Sequence, residues 1–257
     1  MIPNPAITEW GNVRPWPTRT QIEQDLLLSR LIIEIANHPY LGEELIFRGG
    51  TCLHKLHLEK PRRYSEDLDY VRSTAGGIQP FTKALCDLGK QLGFEINTRI
   101  SQHPKVYFRT MSSDGVRIRI KVEANTYERS SAEPIITAPF AVSSQWFEGG
   151  AQVRTFTTAE LMATKVRALY QRKKGRDLFD LWLAMTEMQL EAKQIIAAFA
   201  PYRPVGLTTV TATQNLQRKV IDEEFCNDLF PLVNSWPPRY SVEIAANLVI
   251  SKVFSLL

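Results

Sequence analysis

Residues 47–71, FRGGTCLHKLHLEKPRRYSEDLDYV, combine two glycines, hydroxyl groups and a pair of carboxylates in one short block. Gly49 and Gly50 follow a short apolar strand, where they let the backbone turn sharply and come close to a ligand. A helix starting at Thr51 would present free N–H groups and a hydroxyl, which suits a phosphate as well as a plain structural turn. Asp67 and Asp69 lie on the next strand at i and i+2, so both carboxylates face one side while Leu68 and Tyr70 face the other. A structural ion pair would explain one of two such close like charges. A divalent cation explains both, because hard oxygen ligands at this spacing hold Mg²⁺ or Mn²⁺ while triphosphate oxygens complete its shell.

A second block, TFTTAELMATKVRALYQRKKGRDLFDLWLAM, spans residues 155–185. Thr157 and Glu160 have the spacing of a helix-capping box. Met162, Val166 and Leu169 form the buried stripe of the helix, and Lys165 borders it, where an amine either snorkels to solvent or reaches a ligand. In the following helix Leu178, Leu181, Trp182 and Met185 pack inward, leaving Asp177 and Asp180 on a shared border at i, i+3. Stabilisation of the helix N-terminus would account for either one alone.

Around these groups, hydrophobic periodicity predicts the supporting elements. Helix 20–37 carries Ile22, Leu26, Leu27, Ile33 and Ala36 on one face, with Thr18 or Thr20 as cap and Glu23 three residues after Thr20. Strand 45–47, helix 51–58, strand 67–71, helix 79–92 and strands 94–100, 105–111 and 116–125 follow. The last alternates strictly, with Val116, Ile118, Ile120, Val122 and Ala124 on one face and Arg117, Arg119, Lys121 and Glu123 on the other. Residues 130–150 have little pattern; a strand near 152–156 precedes helices at 158–172, 176–188 and 191–200, with a last helix over about 241–256. Strands concentrate before residue 157 and helices after it, which predicts an α+β unit, 1–157, and a helical unit, 158–257.

The chain resembles the nucleotidyltransferase-like toxins of the AbiEii/AbiGii type, within the polymerase-β-like nucleotidyltransferase superfamily. The resemblance rests on Phe47-Arg48-Gly49-Gly50-Thr51, Leu53, Lys55-Leu56, Tyr64-Ser65-Glu66-Asp67-Leu68-Asp69, Lys165, Arg176-Asp177 and Asp180, and it spans about residues 10–185. It implies a mixed sheet with flanking helices, followed by a helical C-terminal domain. It also implies that Gly49, Gly50 and Thr51 hold nucleotide phosphates, that Asp67 and Asp69 bind metal, and that Lys165 contacts the triphosphate with Asp177 as a polar orienter. Arg48 and Ser65 join the nucleotide-binding set. Glu123, on the polar face of its strand, is the candidate for the third carboxylate usual in the superfamily, or else neutralises Arg119 or Lys121. His54 and His57 share a helix face at i, i+3 without a third ligand and read as structural or solvated; Arg62-Arg63 either meet phosphates or form a solvated loop.

The chain has 257 residues, is 44% hydrophobic and 23% charged, and carries a net +4, values that exclude disorder and fibrous repeats. No apolar run approaches the roughly 20 residues of a membrane span, and the N-terminal residues lack a secretory pattern, so a cytoplasmic protein with no membrane partner is expected. Cys52, Cys86 and Cys226 are scattered and are expected to be buried thiols. The charge is unevenly spread. Residues 99–129 hold seven basic and three acidic side chains and residues 154–176 seven and one, so these two segments carry +10 and the remainder −6. Arg117, Arg119 and Lys121, with Arg172, Lys173, Lys174 and Arg176, could form a track for a nucleic-acid backbone or a solvated run offset by distant acids. By resemblance, the expected reaction moves a nucleotide from a nucleoside triphosphate to RNA, with the 3′ end of tRNA favoured. The expected outcome is arrest of translation and growth, with a cognate antitoxin as partner. Nucleotidylation of a small molecule or a protein hydroxyl, and a non-catalytic nucleotide-binding module, are the alternatives.

Overall fold

The computed structural model describes residues 2–100 and 103–257. They form two compact units. One comprises the chain up to Arg129 together with Ile135–Phe156; the other comprises Ser130–Pro134 and Thr157–Leu257. The later boundary between the units falls at residues 156–157, and the five residues 130–134 group with the helices.

The first unit contains helices α1 (Asn4–Val13), α2 (Arg19–Asn37) and α3 (Leu41–Glu44), then β1 (Leu45–Arg48) and α4 (Gly49–Cys52), which runs into a π turn over Leu53–His57. β2 (Asp67–Arg72), α5 (Gln79–Gln91), β3 (Glu95–Arg99), β4 (Lys105–Met111), β5 (Arg117–Asn125), β6 (Ile136–Ser143) and β7 (Glu148–Thr155) follow. The strands make one seven-stranded mixed sheet in the order β3-β4-β5-β2-β1-β7-β6. The β2–β5 and β1–β7 pairs are parallel, the rest antiparallel. β2, which carries Asp67 and Asp69, is therefore the central strand.

α2 supplies much of the core, with Leu26, Leu28, Leu31 and Ile32 fully buried and the helix packed on β7, β6, β5 and β2. Its cap is Thr18, whose hydroxyl accepts from Gln21 N while the Gln21 side chain accepts from Thr18 N. Glu23 is not part of that cap. It is buried and accepts from Ser113 N and Oγ, tying the β4–β5 turn to the helix.

β5 keeps the expected alternation, with Ile118, Ile120, Val122 and Ala124 buried and Arg117 and Arg119 exposed. Val116 departs from it and is exposed, because it belongs to the turn closed by the bond from Ser112 N to Val116 O. The stretch with little pattern contains β6 and the start of β7. β6 is an outer strand in which only Phe140 and Val142 are buried, and it tolerates Pro139, which an inner strand would not.

The second unit is helical: α6 (Thr158–Gln171), α7 (Gly175–Thr186), α8 (Ala192–Ala197), α9 (Thr209–Lys219), α10 (Glu223–Asn227) and α11 (Val242–Lys252). α7 packs against α6, α11 and α10, and Gly175 opens it where a Cβ would lie 2.3 Å from the Phe225 carbonyl oxygen. Thr157 caps α6 by accepting from Glu160 N at 3.2 Å. Glu160 does not return the bond. Its fully buried carboxylate accepts from Ala132 N at 2.8 Å, Glu133 N at 3.0 Å and the Tyr202 hydroxyl at 2.5 Å, fastening the 130–134 strap into this unit.

All three cysteines are free thiols. Cys52 is buried, whereas Cys86 and Cys226 are only half-buried, contrary to the expectation for all three, because they lie on partly exposed faces of short amphipathic helices. No helix among the described residues is long and apolar enough to cross a membrane.

Candidate active site

In the first unit, antiparallel pairing of β1 with β2 sets Arg48 opposite Asp69, and parallel pairing of β2 with β5 sets Asp67 beside Lys121 and Asp69 beside Glu123. The chain then turns at Gly49, whose φ of 84° is costly for a side-chain-bearing residue. A Cβ there would lie 2.6 Å from Asp69 Oδ2, so the glycine also admits the carboxylate. A Gly49→Ala variant is expected to lose about 1–2 kcal/mol of stability from backbone strain and most of its transfer activity, as measured by urea unfolding and nucleotide incorporation.

Thr51 is buried; its hydroxyl donates to the Asp67 carbonyl at 2.5 Å and lies 2.8 Å from Ser65 Oγ, fixing the turn against the strand that carries the carboxylates. Arg63 is buried as well, with its guanidinium packed where a Gly50 Cβ would be and Nη1 donating to Tyr64 O, so the solvated-loop reading of this arginine does not hold. Behind the turn, Lys55 donates to Asp25 at 2.6 Å and Ser29 at 2.9 Å, and Trp10 donates to the same carboxylate, which pins α2 to the π turn. His54 is buried and its Nδ1 accepts from Arg62 N; burial pulls His57 down to about 4, leaving it neutral at physiological pH. His54 is therefore a structural residue, and His57 is half-buried.

Charge is unbalanced around the two aspartates. Burial pushes both carboxyls above the ordinary range; the positive charge of Lys121 opposes this, and each is further raised by neighbouring carboxylates, Glu123 among them. Lys121 Nζ lies 3.1 Å from Asp67 Oδ2 and 2.9 Å from Glu123 Oε2. Burial alone would lower its pKa, but the bond to Glu123 and the charges of Asp67 and Asp69 raise it, so it stays an ammonium. Glu123 is held below the usual carboxylate range despite burial, by Lys121 and by Lys105 on β4. Arg48 pairs with Glu128 at 3.2 Å.

Two aspartates on one face, with hard oxygen donors and a deficit of positive charge, fit a divalent cation whose shell a substrate would complete. Among the described residues no group of three His, Cys, Asp or Glu side chains converges to hold an ion. Glu123 is engaged by two lysines.

The second unit holds its own charged cluster. Lys165 is buried, so it does not snorkel; its Nζ lies 3.0 Å from Asp177 Oδ1 and 2.8 Å from Asp180 Oδ2. Arg172 grips Asp177 with Nε and Nη2 at 2.6 and 2.8 Å. Burial would raise Asp177, yet the charge of Lys165 and the Arg172 bonds hold it below the usual range. The i, i+3 spacing on α7 thus aims two fully buried carboxylates at one ammonium.

Most of the basic residues expected to face RNA are already paired. Lys173 meets Asp222 and Glu224, Lys174 meets Glu224 and Asp228, and Arg176 makes a forked pair with Asp228 at 2.8 and 2.9 Å. On β5, Lys121 turns to the carboxylates; Arg117 and Arg119 stay exposed, the latter over the Tyr107 ring.

A family model described as nucleotidyl transferase AbiEii toxin, Type IV toxin–antitoxin system, matches residues 30–241. Among solved structures, MenT4, a nucleotidyltransferase toxin from Mycobacterium tuberculosis H37Rv, superposes with a TM-score of 0.52 at 15% identity, over 97% of this chain and 99% of that one. An antigenic nucleotidyltransferase-like protein from Paracoccidioides brasiliensis gives a TM-score of 0.46 at 15% identity, over 78% and 88%. No curated protein sequence matches.

Proposed function

The chain belongs to the AbiEii family of nucleotidyltransferase toxins, and on that premise we propose that it transfers a nucleoside monophosphate from a nucleoside triphosphate to an RNA acceptor, favouring the 3′ end of tRNA, and so arrests translation. The observation that carries this reading is the Asp67–Asp69 pair on the central strand, set against the positive-φ turn at Gly49. Membership in a toxin–antitoxin family implies an antitoxin partner.

In the proposed reaction, an acceptor hydroxyl attacks the α-phosphorus in line with the departing pyrophosphate. Asp67 and Asp69 would hold a Mg²⁺ or Mn²⁺ ion, which would supply charge neutralisation at phosphorus and a lower pKa for the hydroxyl. Gly49 and Gly50 let main-chain N–H groups approach phosphate oxygens, while Thr51 and Ser65 keep the turn on β2. Lys165 has three N–H donors, and two are taken by Asp177 and Asp180. Asp177, itself gripped by Arg172, and Asp180 fix the direction of this amine, which the resemblance assigns to the triphosphate. A cytoplasmic location accords with this substrate.

RNA as acceptor is supported by exposed Arg117 and Arg119 on β5. The run 172–176 lends less support, since acids at 222–228 neutralise most of it. Purified protein incubated with each labelled nucleoside triphosphate, Mg²⁺ and total RNA is expected to label tRNA-sized RNA with one nucleotide preferred. No labelled RNA with any of the four would overturn the reading.

A further inference from the structure

Lys121 does not act as its place on an alternating basic strand suggests. Arg117 and Arg119, on the same face of β5, are exposed, whereas Lys121 is drawn in between Asp67 on β2 and Glu123 two residues along its own strand. Its ammonium lies 3.1 Å from Asp67 Oδ2, on one of the two carboxylates that would hold a metal ion. Glu123 has a second cation, Lys105, which lies beside it across the β4–β5 pair at 3.5 Å. An ammonium brings one charge and donates N–H bonds to the carboxylate, while a divalent ion brings two charges and takes the oxygen lone pairs directly. The two therefore compete for Asp67.

We propose that Lys121 is the resident counter-cation of the aspartate pair: it neutralises the carboxylates before metal arrives, must be displaced for metal to bind, and is kept beside the site by Glu123 afterwards. The proposal rests on the assignment of Asp67 and Asp69 as metal ligands. It makes Lys121 a positioning residue that sets the metal threshold of the enzyme, so that free metal binds weakly and metal accompanied by a triphosphate binds well.

The test is Mn²⁺ binding to the full chain without nucleotide, by calorimetry or by loss of the free-ion electron spin resonance signal. Lys121→Met is expected to bind Mn²⁺ about fivefold more tightly, as the partly exposed ion pair with Asp67 no longer has to be broken, while Lys121→Arg stays near the wild-type value. In the wild-type protein, acetylation of Lys121 followed by mass spectrometry should speed up several-fold on adding Mn²⁺, a readout that does not depend on any variant folding. Wild-type binding that is lost in Asp69→Asn but unchanged in Lys121→Met, or Lys121 reactivity that ignores saturating Mn²⁺, would overturn the inference alone. Binding that survives in the Asp67→Asn, Asp69→Asn double variant would overturn the metal assignment itself.

Discussion

Asp67→Asn is expected to lower nucleotide transfer about a thousandfold or more while the protein stays folded, because an amide cannot supply the anionic oxygen that the proposed chemistry needs. The substitution keeps the Asp67 carbonyl that accepts from Thr51, and Lys121 keeps Glu123 as partner, so the turn and sheet lose little. Asp69→Asn should cost as much activity and add stability. Burial holds the Asp69 carboxyl above its ordinary pKa, so the folded protein binds the proton more tightly than the unfolded chain does. Stability from that proton is complete below the unfolded value and is lost as pH rises through the folded one. The stability advantage of Asp69→Asn over wild type should therefore widen from about pH 4 to pH 7 in urea titrations, since the amide carries no such loss. Wild-type transfer by Asp67→Asn would sink the catalytic assignment.

The second large effect is expected at Lys165. Lys165→Met removes the ammonium shared by Asp177 and Asp180, both fully buried, and leaves Arg172 on Asp177. Breaking a buried cluster by deleting one partner costs about 3–5 kcal/mol. Hydrogen exchange in α6 and α7 should rise accordingly, and transfer should vanish. The acid dependence separates charge from packing. Lys165 and Arg172 hold Asp177 below its ordinary pKa despite burial, so this stability is present above the unfolded value and lost as pH falls through the folded one. The gap between Lys165→Met and wild type should narrow on acidification; a gap independent of pH would mean that packing of the lysine stem dominates.

Repeating patterns made most elements legible from residues alone. α2, α5, α6 and α7 show helical spacing, β5 shows strict alternation, and all lie within a few residues of expectation. α1 has no counterpart among the expected elements, and β6 escapes the pattern because an outer strand with Pro139 and few buried positions carries little alternation. At the site, the order glycine turn, Asp67, Asp69 could be read because a strand's two-residue period fixes which side chains share a face. The partners of the charges could not. Lys121 and Arg119 occupy equivalent positions in the alternation, and only the β2–β5 register turns one toward aspartates. Likewise nothing in the run 172–176 shows that Asp222, Glu224 and Asp228, some fifty residues on, will neutralise it.

The strap at 130–134 bears on how the chain can be taken apart. Glu160 lies 28 residues beyond Ala132, and its carboxylate closes a loop that contains the whole β6–β7 hairpin. In the second unit's own connectivity, that hairpin is an insertion. The peptide chain passes from one unit to the other three times, so no single cut yields both units whole. A fragment ending at residue 157 would carry the strap without the carboxylate that holds it, and one starting at 158 would leave Glu160 buried with two main-chain donors missing. During synthesis the strap must wait for α6, making the order in which the ribosome delivers these residues part of how the second unit closes.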